Sequence, residues 1–360
     1  MGTTLSRRAL NRATLARQLL LERSTMNPLE ITEHLAGLQA QTTNTWYVGF
    51  WSRMESFDPQ VVSQLMEQRM LVRIALMRST IHLVSAQDCL DFRLPVQPPI
   101  VRSTTGAFGK NWTGLDLDEV VSKGRELLEQ EPLTFNDLGH KLQESWPDRD
   151  APSLAQAVRA FAPLIQIPPR GLWGRSGLAK HTTAESYLGK PLNPSTDPAP
   201  IVLRYLKAFG PSTVMDAQNW SGLTKLGEVF DVLRPQLVTF RSEDGKELFD
   251  LPEAPRPSED TPAPARILYD FDNVLLGHAD RSRIIDQAHV DAFWIDVRPV
   301  YGKVLIDGDV QGVWRVEKGT FIVTSLKKIP QAEIAKEGMR LLTFLAPKAE
   351  SHDVQFALRG

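Results

Sequence analysis

Leu71-Val72-Arg73-Ile74-Ala75-Leu76, then Met77-Arg78-Ser79, then Thr80-Ile81-His82-Leu83-Val84, is where the architecture first becomes readable. Two short runs of β-branched and apolar residues, three residues apart, read as the strands of a hairpin. The chain before them reads as helices. Residues 5–23 set Leu10, Leu15, Leu19 and Leu20 on one side of an amphipathic helix, with Ser6 as its cap. Its other side carries Arg7, Arg8, Arg12, Arg17 and Arg23 against one acid, Glu22. Pro28 opens a second helix over 29–41, which the break at Thr42-Thr43-Asn44 ends. Residues 45–54, with Trp46, Tyr47, Phe50 and Trp51, read as core, and Asp58-Pro59 caps a further helix through Gln68. Helices followed by a hairpin is the order of a winged helix.

The order recurs. Residues 117–130, 135–145 and 153–162 read as helices, followed by strands at 164–167 and 171–174 around Pro168-Pro169-Arg170. A third pass has helices at 201–209, 214–220 and 226–233, then strands at 237–241 and 247–251 across Asp244-Gly245. Five prolines in a short stretch mark a linker. Beyond it come strands at 267–269, 294–297, 303–307, 312–316 and 321–325, a turn at Asp307-Gly308, and a helix at 331–345. The expected class is α+β. Three tandem winged-helix modules (1–110, 111–190, 191–252) are followed by a linker (253–265) and a C-terminal β-barrel with a terminal helix (266–360).

A chain of 360 residues has room for several cores, and 42% hydrophobic with 23% charged residues is ordinary for a globular protein. The formal net charge of −2 provides no global basic field, so contacts to nucleic acid must come from local patches. One cysteine, Cys89, excludes an internal disulfide and a Cys-rich metal site. Arg12, Arg17, Glu22 and Arg23 interrupt the apolar residues that follow Arg7-Arg8, so no secretory core is expected, and the cytoplasm is the expected compartment. With no apolar run of membrane length and no heptad pattern, neither a membrane nor a dimer helix is expected, and the protein is read as a monomer.

Gln39-Ala40-Gln41 closes the apolar series Leu29, Ile31, Leu35, Leu38 at the end of the second predicted helix. It resembles the Gln–aliphatic–Gln signature of the AlkZ-like DNA glycosylases, bacterial helix-turn-helix enzymes that excise bulky N7-alkylated purines. The resemblance continues in Leu71-Val72-Arg73, Arg78-Ser79-Thr80-Ile81-His82-Leu83-Val84, Pro169-Arg170-Gly171-Leu172-Trp173-Gly174-Arg175, Asp272-Asn273-Val274-Leu275-Leu276 and His278-Ala279-Asp280-Arg281. It runs through nearly the whole chain and implies winged helices, a barrel, and catalysis by Gln39 and Gln41.

Glutamine takes no proton at neutral pH, yet it suits such a reaction. An N7-alkylated guanine is cationic, so its glycosidic bond is already polarised towards departure. The transition state then needs orientation and electrostatic help more than a strong base. A carboxamide accepts through oxygen and donates through nitrogen, so two of them can fix a water near C1′. Residues i and i+2 of a helix do not face each other, so joint action requires Gln41 to lie where the helix is already ending. The plainer reading is two solvated glutamines at a helix terminus.

Arg78, Thr80 and His82 belong to a resembling segment. Arg78 reads as a phosphate contact and His82 as a donor to substrate or backbone, against the plainer reading of a histidine that holds the hairpin. A general-acid role for His82 is disfavoured, because a charged purine hardly needs protonation. Further DNA contacts are expected from Arg7, Arg12, Arg170 and Arg175, where Gly171, Gly174 and Gly177 allow close backbone approach; solvated arginines are the plain alternative. Asp272, His278, Asp280 and Arg281 are expected to support the site from behind or to form a structural joint. Metal-ligand spacing is missing, and no metal or cofactor is expected. The expected function is a monofunctional DNA glycosylase for alkylated purines in duplex DNA, above all bulky N7-guanine adducts or crosslinks, a chemistry that fits self-resistance to a genotoxin. The rival readings are a non-catalytic winged-helix DNA-binding regulator and, further behind, a protein-interaction scaffold.

Overall fold

The hairpin predicted at 71–84 forms, and its neighbours organise the molecule. A computed structural model describes residues 3–293 and 302–359. In it Leu71–Ala75 and Ile81–Ser85 pair antiparallel, with Ile74 opposite His82. Leu38–Gln39 adds to the outer edge of Ile81–Ser85, and Leu164–Gln166 adds to Leu71–Ala75 on the other side. His181–Thr183 completes a five-stranded sheet. The first two helix groups are therefore fused through one sheet instead of each carrying a private wing. Residues 171–174, expected as a strand, form a turn. Gly171 (φ 92°) and Gly174 (φ 66°) hold left-handed backbone that a strand excludes, and Leu164–Gln166 finds its partner at His181–Thr183.

The third hairpin, Val238–Ser242 with Glu247–Asp250, follows the expected order, and Thr4–Leu5 joins it in parallel. The C-terminal strands make an open sheet in the order Asp353–Leu358, Thr320–Ser325, Asp309–Glu317, Gly302–Ile306, Arg266–Leu268. A closed barrel requires the first and last strands to pair. Among the described residues they do not, so the expected barrel is replaced by this sheet with the helix Gln331–Leu345 packed on it. The strand expected at 294–297 lies outside the described residues.

Two helices end early. The first runs Arg7–Arg17, with Ser6 accepting from the Ala9 amide at 3.0 Å, and Leu19 (φ 56°) turns the chain away. The second runs Pro28–His34, and Ala36 (φ 55°) and Gly37 (φ 89°) then convert helix to strand. A Cβ at Gly37 would stand 2.7 Å from Val84 Cγ1, so the turn needs glycine for both its conformation and its space. The Pro-rich segment is strapped down: Arg17 donates to the Pro255 carbonyl at 3.1 Å and Arg12 to that of Thr261 at 2.6 Å. Among the described residues, no helix is long and apolar enough to cross a membrane.

Candidate active site

Gln39 and Gln41 sit on the edge of the hairpin sheet, not on a helix. Side chains alternate along extended backbone, so residues i and i+2 share a face there, as they do not on a helix. Leu38 and Ala40 point into one apolar core and are fully buried. Alternation sends Gln39, in the strand Leu38–Gln39, and Gln41, two residues on, to the opposite face. Gln39 lies across from His82, and the Ala40 amide donates to the Ile81 carbonyl at 2.7 Å. Beneath them Arg73 is buried and donates to the Ala40 carbonyl at 2.8 Å, which fixes the middle of the motif.

The hairpin tip supplies the partners. Arg78 (φ 54°) and Ser79 (φ 61°) hold left-handed backbone in a one-turn 3-10 segment, Met77–Ser79. That turn sends the Arg78 guanidinium back over the sheet. Its Nη2 donates to Gln39 Oε1 at 2.7 Å, and its Nη1 donates to the Trp220 carbonyl. Burial, with help from nearby Arg281, draws Arg78 down to about 10, so it stays charged at neutral pH. Gln41 Oε1 accepts from the Ile81 amide at 3.1 Å. Each carboxamide is thus held through its oxygen, leaving an N–H₂ group and a second oxygen lone pair for a water.

Thr80 caps the turn, its hydroxyl donating to the Met77 carbonyl at 3.0 Å. His82 is buried and its Nδ1 donates to the Thr80 carbonyl at 3.0 Å, leaving Nε2 as acceptor. Burial first, then Arg78, pushes its pKa down to about 3. A neutral histidine that braces the hairpin matches these facts, and a general acid at neutral pH does not.

The junction segment grips this strand at both ends. The Asn273 amide donates to the Gly37 carbonyl at 2.7 Å, before the motif. Asp270 accepts from the Thr42 hydroxyl at 2.6 Å and from the Thr45 hydroxyl, just after it. Asp272 is fully buried in a two-bond ion pair with Arg53, at 2.6 and 2.8 Å. His278 is buried between the Phe209 carbonyl (3.1 Å) and Ser212 (3.3 Å), and burial holds it near 3. Asp280 is exposed and accepts from the Ser282 amide at 2.9 Å, while Arg281 is half-buried beside Arg78. Asp280 also lines a cavity of about 880 Å³ in the third helix group, which none of Gln39, Gln41, Arg78 or His82 touches.

The remaining predicted arginines lie elsewhere. Arg7 pairs with Asp309 at 3.1 Å. Arg12 is fully buried, bonded to Asp307, Asn11 and Thr261, so its donors are spent inside the protein. The acids Asp307 and Asp309 of the C-terminal hairpin are what the first helix binds. Arg170 is half-buried and donates to the Gly177 carbonyl at 3.0 Å, and Arg175 is exposed. Gly171 is needed because the Arg73 side chain approaches it, where a Cβ would meet Cδ at 2.9 Å. Missed from the sequence were Asp270, Asn273 and Arg73. All three act through contacts distant in the chain; Arg73 and Asn273 stand in resembling segments, which hinted at them, whereas nothing in the sequence marked Asp270. Among the described residues, no three His, Cys, Asp or Glu side chains are grouped to hold a metal.

The family described as DNA glycosylase AlkZ-like matches residues 32–344, a span holding the glutamine strand, the hairpin and the junction segment. The chain therefore belongs to the AlkZ-like DNA glycosylase family. Its relatives include an interstrand DNA cross-link repair glycosylase of Streptomyces sahachiroi, 25% identical over 357 residues, 89% of this chain and 91% of that protein. Among solved structures, the Streptomyces sahachiroi DNA glycosylase AlkZ matches with a TM-score of 0.78 at 21% identity, covering 99% of this chain and 100% of that one, a likeness of fold. Membership makes the protein an enzyme, and the non-catalytic regulator reading gives way.

Proposed function

We propose that the protein is a monofunctional glycosylase that hydrolyses the N-glycosidic bond of N7-alkylated purines in duplex DNA, bulky adducts and interstrand crosslinks included. The observation that carries the reading is the pair of carboxamides on one face of an edge strand, each oriented through its oxygen by Arg78 or Ile81. In this mechanism Gln39 and Gln41 hold one water against C1′. As the C1′–N9 bond breaks, its electron pair moves into the purine and cancels the N7 charge. The water oxygen bonds to C1′, and its proton passes to solvent. His82, neutral and braced, moves no proton. Arg78 and the exposed Arg175 are the proposed phosphate contacts, whereas Arg7 and Arg12 act by fastening the first helix to the C-terminal sheet. The name of the Streptomyces sahachiroi relative supports crosslinks as substrates. We place the enzyme in the cytoplasm as a monomer, with self-resistance to a DNA-alkylating product as its setting.

The test is incubation of excess enzyme with a duplex holding one N7-alkylguanine, followed by alkaline cleavage at abasic sites. Strand breaks above spontaneous depurination are expected with the unmutated protein and not with Gln39→Ala/Gln41→Ala. Absence of breaks on methylated, bulky and crosslinked duplexes alike would overturn the reading.

A further inference from the structure

We propose that Asp270 positions the loop behind Gln41 and that its negative charge stabilises the cationic sugar as the base leaves, an inference that rests on the hydrolytic reading above. Asp270 is buried, at 8% exposure, yet both its oxygens are committed to the loop that follows the motif, one to Thr42 and one to Thr45. Thr42 is the next residue after Gln41. With consecutive Cα atoms about 3.8 Å apart, the carboxylate lies within about 9 Å of the Gln41 backbone.

Charge balance gives that placement a consequence. The glutamine face is bordered by Arg78 with Arg281 in its field, and His82 beside them is uncharged. A cationic purine and an oxocarbenium-like sugar are both disfavoured beside the Arg78 guanidinium, whose hydrogen-bond partners are a carboxamide and a backbone carbonyl. Asp272 offers no relief, because Arg53 closes on both its oxygens. Asp270 instead spends its oxygens on neutral hydroxyls, which orient a carboxylate without cancelling it. Lys303, on the Gly302–Ile306 strand, is a cation in its field, and burial draws that ammonium down to about 8. With Asn273 holding Gly37, the segment 270–273 grips the catalytic strand at both ends and supplies a negative charge at one.

Asp270→Asn is the discriminating variant. A carboxamide can accept from one threonine hydroxyl and donate to the other, so the loop keeps its anchor and loses only the charge. Single-turnover excision of N7-alkylguanine from a duplex, at saturating enzyme, is measured beside DNA affinity and melting temperature. The expected result is a rate lower by about 10–100-fold, with Kd and Tm close to those of the unmutated protein. Asp270→Glu, which keeps the charge, is expected to retain at least a tenth of the rate. A folded Asp270→Asn protein that excises within about 3-fold of the unmutated one overturns the proposal. Should that variant not fold, Asp270→Glu below a tenth of the rate overturns it. Failure of the unmutated protein to excise at all would instead remove the hydrolytic reading beneath it.

Discussion

Arg53 and Arg78 are both withdrawn into the protein, and their partners separate framework from site. Arg53 meets a carboxylate, Asp272, in a fully buried two-bond pair, and although burial opposes its charge, Asp272 raises it overall. Arg78 meets a carboxamide, Gln39, and a backbone carbonyl, and burial draws it down. The first arrangement is electrically closed. The second leaves a full positive charge with neutral partners, and anions gain most from such a group. The same division runs across the molecule: Arg12 and Arg17 close on Asp307 and Asp250 as framework, while Arg78 and the glutamine strand stay open.

Mutations can break this comparison on either side. The largest effect is expected at the open site, where Gln39→Ala/Gln41→Ala should slow excision by about 10³-fold or more, with DNA affinity by fluorescence anisotropy little changed. On the closed side, Asp272→Ala strands a buried guanidinium and should cost about 3–5 kcal/mol of stability, read by chemical denaturation. Gly37→Ala places a side chain at φ 89° against Val84. It should cost about 1–3 kcal/mol and reduce excision as well, because the turn feeds the glutamine strand. Arg78→Met should weaken binding and lower the salt slope of log K by about 1, with a smaller loss of excision than the double glutamine variant.

The remaining prediction concerns pH. Burial holds His82 near 3, His181 near 4 and His278 near 3, below the ordinary 6.5. Below 6.5 the unfolded chain binds protons that the folded one refuses, so stability should fall as pH drops from about 6.5 towards 3–4. Melting temperature against pH should show this, and His82→Gln should flatten part of the slope. The excision rate should show no step from His82 between pH 5 and 8.

Local signals made much of the fold legible. The helix predicted at 117–130 is the observed Leu117–Gln130, and the hairpin ends lie within a residue or two of expectation. What sequence periodicity did not convey was pairing across distance. Leu164–Gln166 joins the first hairpin, and Asp353–Leu358 runs parallel to Thr320–Ser325, unions that no local pattern encodes. The sequence reading holds no helix at Ala86–Phe92 or Gln97–Phe108, the second of which begins in a proline pair that reads as a breaker. At the site the motif was legible but its backbone was not. The apolar series through Leu38 reads as helix, although Gly37 marks the stop, and once the chain is extended the i and i+2 glutamines align. Asp270 was unreadable because its role depends on Thr42 and Thr45, more than two hundred residues earlier.

The central claim is that Gln39 and Gln41 act as one device on one water. Single-turnover excision rates for the unmutated protein, Gln39→Ala, Gln41→Ala and the double variant test it most directly. Groups that share a water are non-additive, so the account predicts a double variant scarcely slower than the slower single one. Losses that multiply across the two positions, or a single variant with the unmutated rate, would contradict it.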